Sequence, residues 1–202
     1  MFTALLDTCV LYSSLQRDFF LSLAVEGSYR PVWSSRILDE LRLCEAEKLQ
    51  ELGQAPLQAQ WAVDHLIDNM RDAFSDAEVL GWEPFESSFT LPDPDDRHVV
   101  AAALVGRADA IVTYNLKDFP PDRLPAGIEL LTPSEFGLHS VTLDVSKARR
   151  AIDEMVMRSG TGGRPKRTYA SICDDLESRF QMNETADFLR SLFDTDVSDG
   201  LQ

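Results

Sequence analysis

Short apolar runs alternate with longer amphipathic stretches along most of the chain. Runs rich in Leu, Ile and Val predict buried strands, and apolar residues spaced three or four positions apart predict helices. The predicted strands are Phe2–Leu6, Tyr29–Trp33, Glu78–Trp82, Ala110–Thr113 and Ile128–Leu131. The predicted helices are Val10–Val25, Arg36–Leu52, Leu57–Phe74, Val99–Val105 and the short segment Pro133–Phe136. This alternation predicts an α/β fold whose central parallel sheet is covered by helices on both faces.

The stretch Leu91–Pro121 combines a loop, a helix, a strand and several acids. A loop broken by prolines delivers Asp95 and Asp96 to the start of Val99–Val105, which is apolar on almost every face. Asn115 and Asp118 follow the next predicted strand. Open parallel sheets bind ligands beyond the carboxyl ends of their strands. The order of these residues therefore predicts carboxylates gathered at one edge of the sheet.

The remainder of the chain predicts a small helical extension. Val145–Arg158 and Tyr169–Phe180 are amphipathic, and Asn183 is placed to cap a third helix, Glu184–Phe193. A basic loop that contains three glycines, Gly160–Thr168, joins the first two of these helices. We therefore divide the chain into a domain of residues 1–138 and a helical extension of residues 139–202.

The charge of the chain limits its partners. The 202 residues carry a formal net charge of −15, with −13 in residues 1–138 and −2 in residues 139–202. This charge argues against general electrostatic adhesion to nucleic acid or to an anionic membrane. A nucleic-acid substrate stays open, because divalent cations held by carboxylates can bridge to phosphate. Lys147–Arg167, with seven basic and two acidic residues, is a local basic patch.

Apolar content and cysteine usage predict a cytoplasmic protein without a membrane partner. No apolar run approaches the roughly 20 residues that span a bilayer. The first residues lack the basic segment of a secretory signal. Cys9, Cys44 and Cys173 are scattered and have no zinc-binding spacing, a pattern typical of reduced thiols.

Four acids that are distant along the chain are candidates for one site. Asp7 ends the first strand, Glu40 lies at the margin of an apolar helix stripe, Asp96 begins a helix and Asp118 follows a strand. Converging carboxylates repel one another unless cations neutralise them, and hard oxygen ligands suit Mg²⁺ or Mn²⁺. Taken singly, each acid has an ordinary explanation as a helix cap, a solvated helix residue or the end of a turn.

Four segments within residues 2–136 carry a further signal. They are Leu5-Leu6-Asp7-Thr8, Ser35-Arg36-Ile37-Leu38-Asp39-Glu40-Leu41, Pro94-Asp95-Asp96-Arg97-His98-Val99-Val100-Ala101-Ala102-Ala103 and Ile111-Val112-Thr113-Tyr114-Asn115-Leu116-Lys117-Asp118-Phe119. Their order and spacing resemble those of the PIN-domain ribonucleases, in particular the VapC-type toxins of bacterial toxin–antitoxin pairs. The resemblance implies a PIN-like α/β/α sandwich and an endoribonuclease that depends on Mg²⁺ or Mn²⁺.

The same resemblance implies roles for individual residues. The implied metal-binding residues are Asp7, Glu40, Asp96, Asn115 and Asp118, of which the four acids are also the catalytic residues. Thr8 and Thr113 match hydroxyl positions that support the acids or a metal-bound water. Many PIN domains carry an aspartate in place of Asn115. An amide oxygen ligates a cation weakly and brings no charge, so this departure weakens the second metal position or shifts its role to Asp118.

Three basic residues and one histidine each have a functional and a structural interpretation. Arg164, Lys166 and Arg167 either contact RNA phosphates or belong to a solvated loop between helices. His98, two residues after Asp96, either orients that acid or a phosphate, or is an ordinary core residue.

The leading functional hypothesis is a VapC-like endoribonuclease toxin in which carboxylate-held Mg²⁺ activates a water for attack on an RNA phosphodiester. A cognate antitoxin protein restrains it in this hypothesis, and a homodimer is expected because PIN toxins commonly dimerise. One alternative is a housekeeping PIN nuclease in RNA maturation, and another is a non-catalytic RNA- or protein-binding module. A phosphatase of the haloacid dehalogenase type fits less well, because Asp7-Thr8-Cys9 lacks that family's second aspartate.

Overall fold

The computed structural model of the protein describes residues 1–161 and 165–199. The strands are β1 (Thr3–Leu6), β2 (Arg30–Ser34), β3 (Glu78–Val79), β4 (Ala110–Val112) and β5 (Glu129–Leu131). The helices are α1 (Thr8–Leu11), α2 (Ser14–Val25), α3 (Ser35–Glu51), α4 (Pro56–Ala73), α5 (Glu83–Glu86), α6 (Arg97–Val105), α7 (Pro133–Leu143), α8 (Val145–Arg158), α9 (Tyr169–Phe180) and α10 (Asn183–Asp199). Short 3₁₀ turns occupy Pro94–Asp96, Leu116–Asp118 and Pro121–Arg123.

The strands form one sheet in the order β3-β2-β1-β4-β5. β1 is central and pairs in parallel with both neighbours, since Leu5 lies opposite Val32 on one side and Ile111 on the other. Every residue of β1 and β4 is buried, as expected for parallel strands covered on both faces. The parallel sheet and its alternation with helices confirm the predicted α/β class and the PIN-like α/β/α architecture with added C-terminal helices.

Pairing between β1 and β4 fixes the edge at which the predicted site lies. Leu6 is in register with Val112, and the Asp7 amide donates to the Val112 carbonyl at 3.1 Å. The residues that follow the two strands, Asp7 and Thr113, are therefore neighbours. The helix that precedes β4, α6, is buried from His98 to Ala103, and Asp96 is its N-cap residue.

The chain forms two compact units. The first comprises residues 1–13 and 30–130, and contains β1 to β4, α1 and α3 to α6. The second comprises Ser14–Tyr29 together with the described residues from Leu131 onward. The predicted domain boundary between residues 138 and 139 stays a prediction. The boundary between the two compact units falls after Leu130, and α2 belongs to the same unit as the C-terminal helices.

The second unit has its own aromatic core. The Phe136 ring lies 4.7 Å from the Tyr29 ring and 5.5 Å from the Phe20 ring, and the Tyr29 hydroxyl donates to the Phe20 carbonyl. Basic residues of α8 pair with acids of the α2 segment: Arg150 with Glu26 at 2.6 Å, and Arg158 with Asp18 at 2.9 Å. Part of the sequence's basic patch is therefore neutralised within this unit.

Several predicted elements differ in extent from the observed ones. The single predicted helix Val10–Val25 is divided into α1 and α2 at Tyr12 and Ser13, because α1 is a separate short turn capped by the Asp7 side chain. α7 is longer than predicted and begins at a capping box between Thr132 and Glu135. Over the part of the chain that the structure describes, no helix is both long and apolar enough to cross a membrane.

Candidate carboxylate site

Asp7 is fixed by three donors at the carboxyl end of β1. Its Oδ1 accepts from the Thr8 amide at 2.7 Å, as an N-cap of α1 does. Its Oδ2 accepts from the hydroxyl of Thr113 at 2.6 Å and from the thiol of Cys9 at 3.2 Å. The carboxylate is therefore held in one orientation by groups from two adjacent strand ends.

Cys9 is a member of the site that sequence reasoning did not identify. Besides donating to Asp7, its Sγ lies 3.4 Å from Thr113 Oγ1 and accepts from the Tyr114 amide at 3.4 Å. Burial, followed by the nearby charge of Asp7, raises the pKa of this thiol to about 12. Cys9 is thus a neutral hydrogen-bond donor to Asp7 and not a thiolate.

Glu40 lies on α3 and is engaged at both oxygens. Oε2 accepts from the Thr8 hydroxyl at 2.7 Å, and Oε1 lies 3.1 Å from His98 Nε2 and 3.5 Å from Arg36 Nε. Burial raises the pKa of Glu40, but the hydrogen bonds from His98 and Thr8, and the charges of His98 and Arg36, outweigh it. The net pKa lies below the ordinary value, so Glu40 is ionised at neutral pH.

Asp96 faces the other acids across the sheet edge. Its Oδ2 accepts from the Asn115 side-chain amide at 3.2 Å. Burial, followed by the charges of Asp7, Asp93 and Asp118, raises the pKa of Asp96 to about 6. Burial disfavours the charged form of this carboxyl most, and the neighbouring carboxylates add to that effect, so Asp96 lies close to the other acids of the site.

Asp118 completes this group from the 3₁₀ turn that follows Asn115. Its amide donates to the Asn115 carbonyl at 3.2 Å, and its side chain is only 17% exposed. The neighbouring Lys117 is 84% exposed, and its Nζ lies 4.0 Å from Asp118 Oδ2. Asn115 is itself oriented by its amide, which donates to Thr113 Oγ1 at 3.0 Å.

The predicted residues of the first unit lie in two linked groups. One comprises Asp7, Thr113, Asn115, Asp96 and Asp118, and the other comprises Glu40, Thr8 and His98. The peptide between Asp7 and Thr8 joins the two groups. His98 contacts Glu40, whereas the sequence had suggested Asp96 or a phosphate as its partner.

The donor chemistry fits a hard divalent cation. Among the described residues, no three His, Cys, Asp or Glu side chains are already arranged to hold a metal. Mg²⁺ does not need such a cage, because it usually binds through one or two carboxylates and completes its shell with water or phosphate oxygens. The carboxylates of Asp7, Asp96 and Asp118 supply that kind of ligand, and their mutual repulsion favours a cation among them.

Of the predicted RNA-contacting residues, Lys166 and Arg167 belong to the second unit. Arg164 lies outside the described residues. Lys166 is exposed, and Arg167 forms an ion pair with Asp175 of α9. Contact of these residues with RNA stays a prediction, and the pairing of Arg167 reduces the charge that it can offer.

Comparison with known proteins identifies the fold family. A family model described as PIN domain matches residues 3–117, more than half of the chain, and the chain belongs to this family. A segment of 62 residues is 47% identical to a protein of Mycobacterium tuberculosis named "Putative ribonuclease VapC50". That match covers 30% of this chain and 37% of the relative, so the chain matches little more than a third of the relative's length. No solved structure gives a significant match.

Proposed function

We propose that the protein is an endoribonuclease that hydrolyses RNA phosphodiester bonds with a divalent cation, and that it acts as the toxin of a VapC-like toxin–antitoxin pair. The observation that carries the proposal is the meeting of Asp7 and Asp96 at the sheet edge, linked through Thr113 and Asn115. Membership of the PIN family and similarity to a protein named as a ribonuclease support it.

In this proposal the site residues have different roles. Asp7, Asp96 and Asp118 would hold Mg²⁺ or Mn²⁺, with the amide oxygen of Asn115 as a weaker ligand. A divalent cation bound there supplies positive charge for the phosphate oxygens and lowers the pKa of a water ligand. Thr113 and Cys9 keep Asp7 oriented, and Asn115 orients Asp96. Glu40 presents an ionised carboxylate at the margin of the same site. There it can orient the attacking water or accept a proton from it.

The proposal resolves the apparent conflict between an RNA substrate and a net charge of −15. Phosphate contact would occur through the bound cation and through exposed cations at the site, of which Lys117 is one. The same proposal includes a cognate antitoxin, a cytoplasmic location and a homodimer. The resemblance to VapC-type toxins supports these parts of it.

A nuclease assay tests the catalytic part. Purified protein is incubated with structured RNAs and Mn²⁺ or Mg²⁺, beside the variants Asp7→Asn and Asp118→Asn. We expect cleavage by the wild type only with the cation, and a loss of about 100-fold or more in each variant. Asp39→Asn is the matched control, since Asp39 lies beside Glu40 on α3 but pairs with Arg42. Equal rates for the wild type and Asp7→Asn would refute the assignment.

A separate assay distinguishes a toxin from a housekeeping nuclease. Induced expression of the wild type is expected to arrest bacterial growth, whereas Asp7→Asn is expected to leave growth unchanged. Co-expression of a small open reading frame adjacent to the gene is expected to restore growth. An active nuclease that does not slow growth would favour a role in RNA maturation instead.

A further inference from the structure

We propose that His98 is a positioning residue that orients the Glu40 carboxylate for the proposed reaction. The inference rests on the proposed function and extends it to a residue whose role the family resemblance does not supply. His98 lies in the first turn of α6, and Glu40 lies on α3. The two residues are therefore brought together by tertiary packing and not by local chain geometry.

The contact between them is specific to one ring nitrogen. His98 Nε2 lies 3.1 Å from Glu40 Oε1, a distance suited to a hydrogen bond. Because a carboxylate can only accept, Nε2 carries the proton in the bond. The Thr8 hydroxyl donates to Glu40 Oε2 at 2.7 Å. The two carboxylate oxygens therefore accept from two different donors, which fixes the plane of the carboxylate.

Burial makes a purely structural role for the imidazole unfavourable. The His98 side chain is 2% exposed, and within the described residues its Nδ1 has no hydrogen-bond partner. Its ring lies 6.0 Å from that of Trp82, a buried apolar neighbour. A buried polar atom without a partner destabilises a fold, so an apolar side chain of similar size would suit this position better if packing were its only task.

Glu40 does not need His98 in order to be solvated. Its side chain is 37% exposed and also receives Arg36 at 3.5 Å, so water can replace the lost donor in a variant. What water cannot replace is the fixed direction of the bond. Loss of His98 should therefore change the orientation of Glu40 while leaving the fold intact.

The test compares activity with stability in the full-length protein. For His98→Leu we expect kcat to fall by about 10–100-fold, part of the roughly 10²–10⁴-fold that a positioned general base contributes, with KM nearly unchanged. The melting temperature should stay equal to that of the wild type or rise. His98→Gln, whose amide can donate from a similar place as Nε2, should recover most of the lost kcat. Parallel losses of kcat and melting temperature in both variants would overturn the proposal.

A double-mutant cycle separates positioning from a general disturbance. If His98 acts through Glu40, adding His98→Leu to Glu40→Gln should produce little further loss. Additive losses would overturn the proposal. Trp33→Phe controls for disturbance of the core. The Trp33 side chain is buried, and its Nε1, like His98 Nδ1, has no partner in the described structure.

A spectroscopic readout does not depend on activity. Long-range ¹H–¹⁵N correlation spectra of the metal-free protein should show His98 with its proton on Nε2, and Glu40→Gln should shift that nitrogen. Asp118→Asn should leave it unchanged. A proton on Nδ1 with none on Nε2, or no response to Glu40→Gln, would overturn the inference. Wild-type protein that cleaves no RNA under any cation would instead refute the proposed function and would leave this spectrum interpretable by itself.

Discussion

The hydroxyl of Thr113 donates a 2.6 Å hydrogen bond to Asp7 Oδ2, joining the ends of the two central strands. Thr113 is fully buried, and its oxygen also accepts from the Asn115 amide. One hydroxyl thus orders both a candidate catalytic acid and the loop that carries Asn115 and Asp118. The relationship exists because β1 and β4 are paired in register up to Leu6 and Val112.

Thr113→Val should reduce activity more than stability. Valine preserves shape but removes the donor to Asp7 and leaves the Asn115 amide without its acceptor, at a cost of about 1–3 kcal/mol. We expect RNA cleavage to fall by about 10–100-fold. Melting curves and kcat measure the two effects. Thr3→Val is the control, since Thr3 is a buried threonine of β1 at the opposite end of the strand; the same loss of activity there would contradict the account.

Asp96→Asn should stabilise the metal-free protein at neutral pH. The pKa of Asp96 is raised from 3.8 to about 6, so the folded state holds a proton in the range where the unfolded chain has lost it. The wild type is thus destabilised as pH rises through this range, and above about pH 6 the penalty is complete. Discounted for partial exposure, it amounts to about 1–2 kcal/mol.

The experiment for Asp96 is a pair of melting curves in EDTA. At pH 7.5 Asp96→Asn should melt about 3–6 °C above the wild type, and below about pH 4 the difference should vanish. Asp95→Asn is the control, because the Asp95 side chain is 90% exposed. A variant that is less stable than the wild type at pH 7.5 would contradict the cost that burial and the neighbouring acids place on the charge of Asp96.

Asn115→Asp should have opposite effects on the metal-free and metal-bound protein. The new carboxylate would replace the amide that now donates to Asp96 Oδ2 at 3.2 Å, which turns an attraction into a repulsion. We expect a lower melting temperature in EDTA and a larger stabilisation by Mn²⁺, corresponding to about 5–10-fold tighter binding. Asn69→Asp, an exposed change on α4, controls for added charge alone. Weaker Mn²⁺ binding in Asn115→Asp would remove Asn115 from the site.

Cysteine labelling tests the environment of Cys9. Because its pKa is raised to about 12, almost none of this thiol is thiolate at pH 7.5. Iodoacetamide should therefore modify the exposed Cys44 first and leave Cys9 and the buried Cys173 unmodified in the folded protein. Peptide mass spectrometry identifies the labelled residue. Labelling of Cys9 as fast as Cys44 would show that its contacts with Asp7 and Thr113 are absent.

The parallel sheet and most of the candidate site could be predicted from the sequence. The sequence shows that two apolar strands end at Asp7 and Thr113. Because the carboxyl ends of parallel strands share one edge of a sheet, these two residues are predicted to be neighbours. Cys9 was not identified, since a lone cysteine has no informative spacing. The partner of His98 was also missed: its contact with Glu40 depends on how α6 packs near α3, and neighbouring residues in sequence do not encode that.

The division into compact units was equally hard to predict. The pattern of α2 is that of an ordinary helix following the first strand, so the sequence places it with residues 1–138. The structure assigns it to the unit of α7 and α8, where its segment supplies acids to Arg150 and Arg158. Such pairings join residues more than a hundred positions apart, and composition alone does not reveal them.

Calorimetric titration of Mn²⁺ into the metal-free protein tests most directly whether Asp7, Asp96 and Asp118 form a cation site. Wild type and Asp39→Asn should bind the ion with equal affinity, and Asp7→Asn should bind it at least about 10-fold more weakly. If Asp7→Asn binds Mn²⁺ as tightly as the wild type, or if the wild type binds none, the account of this site is wrong.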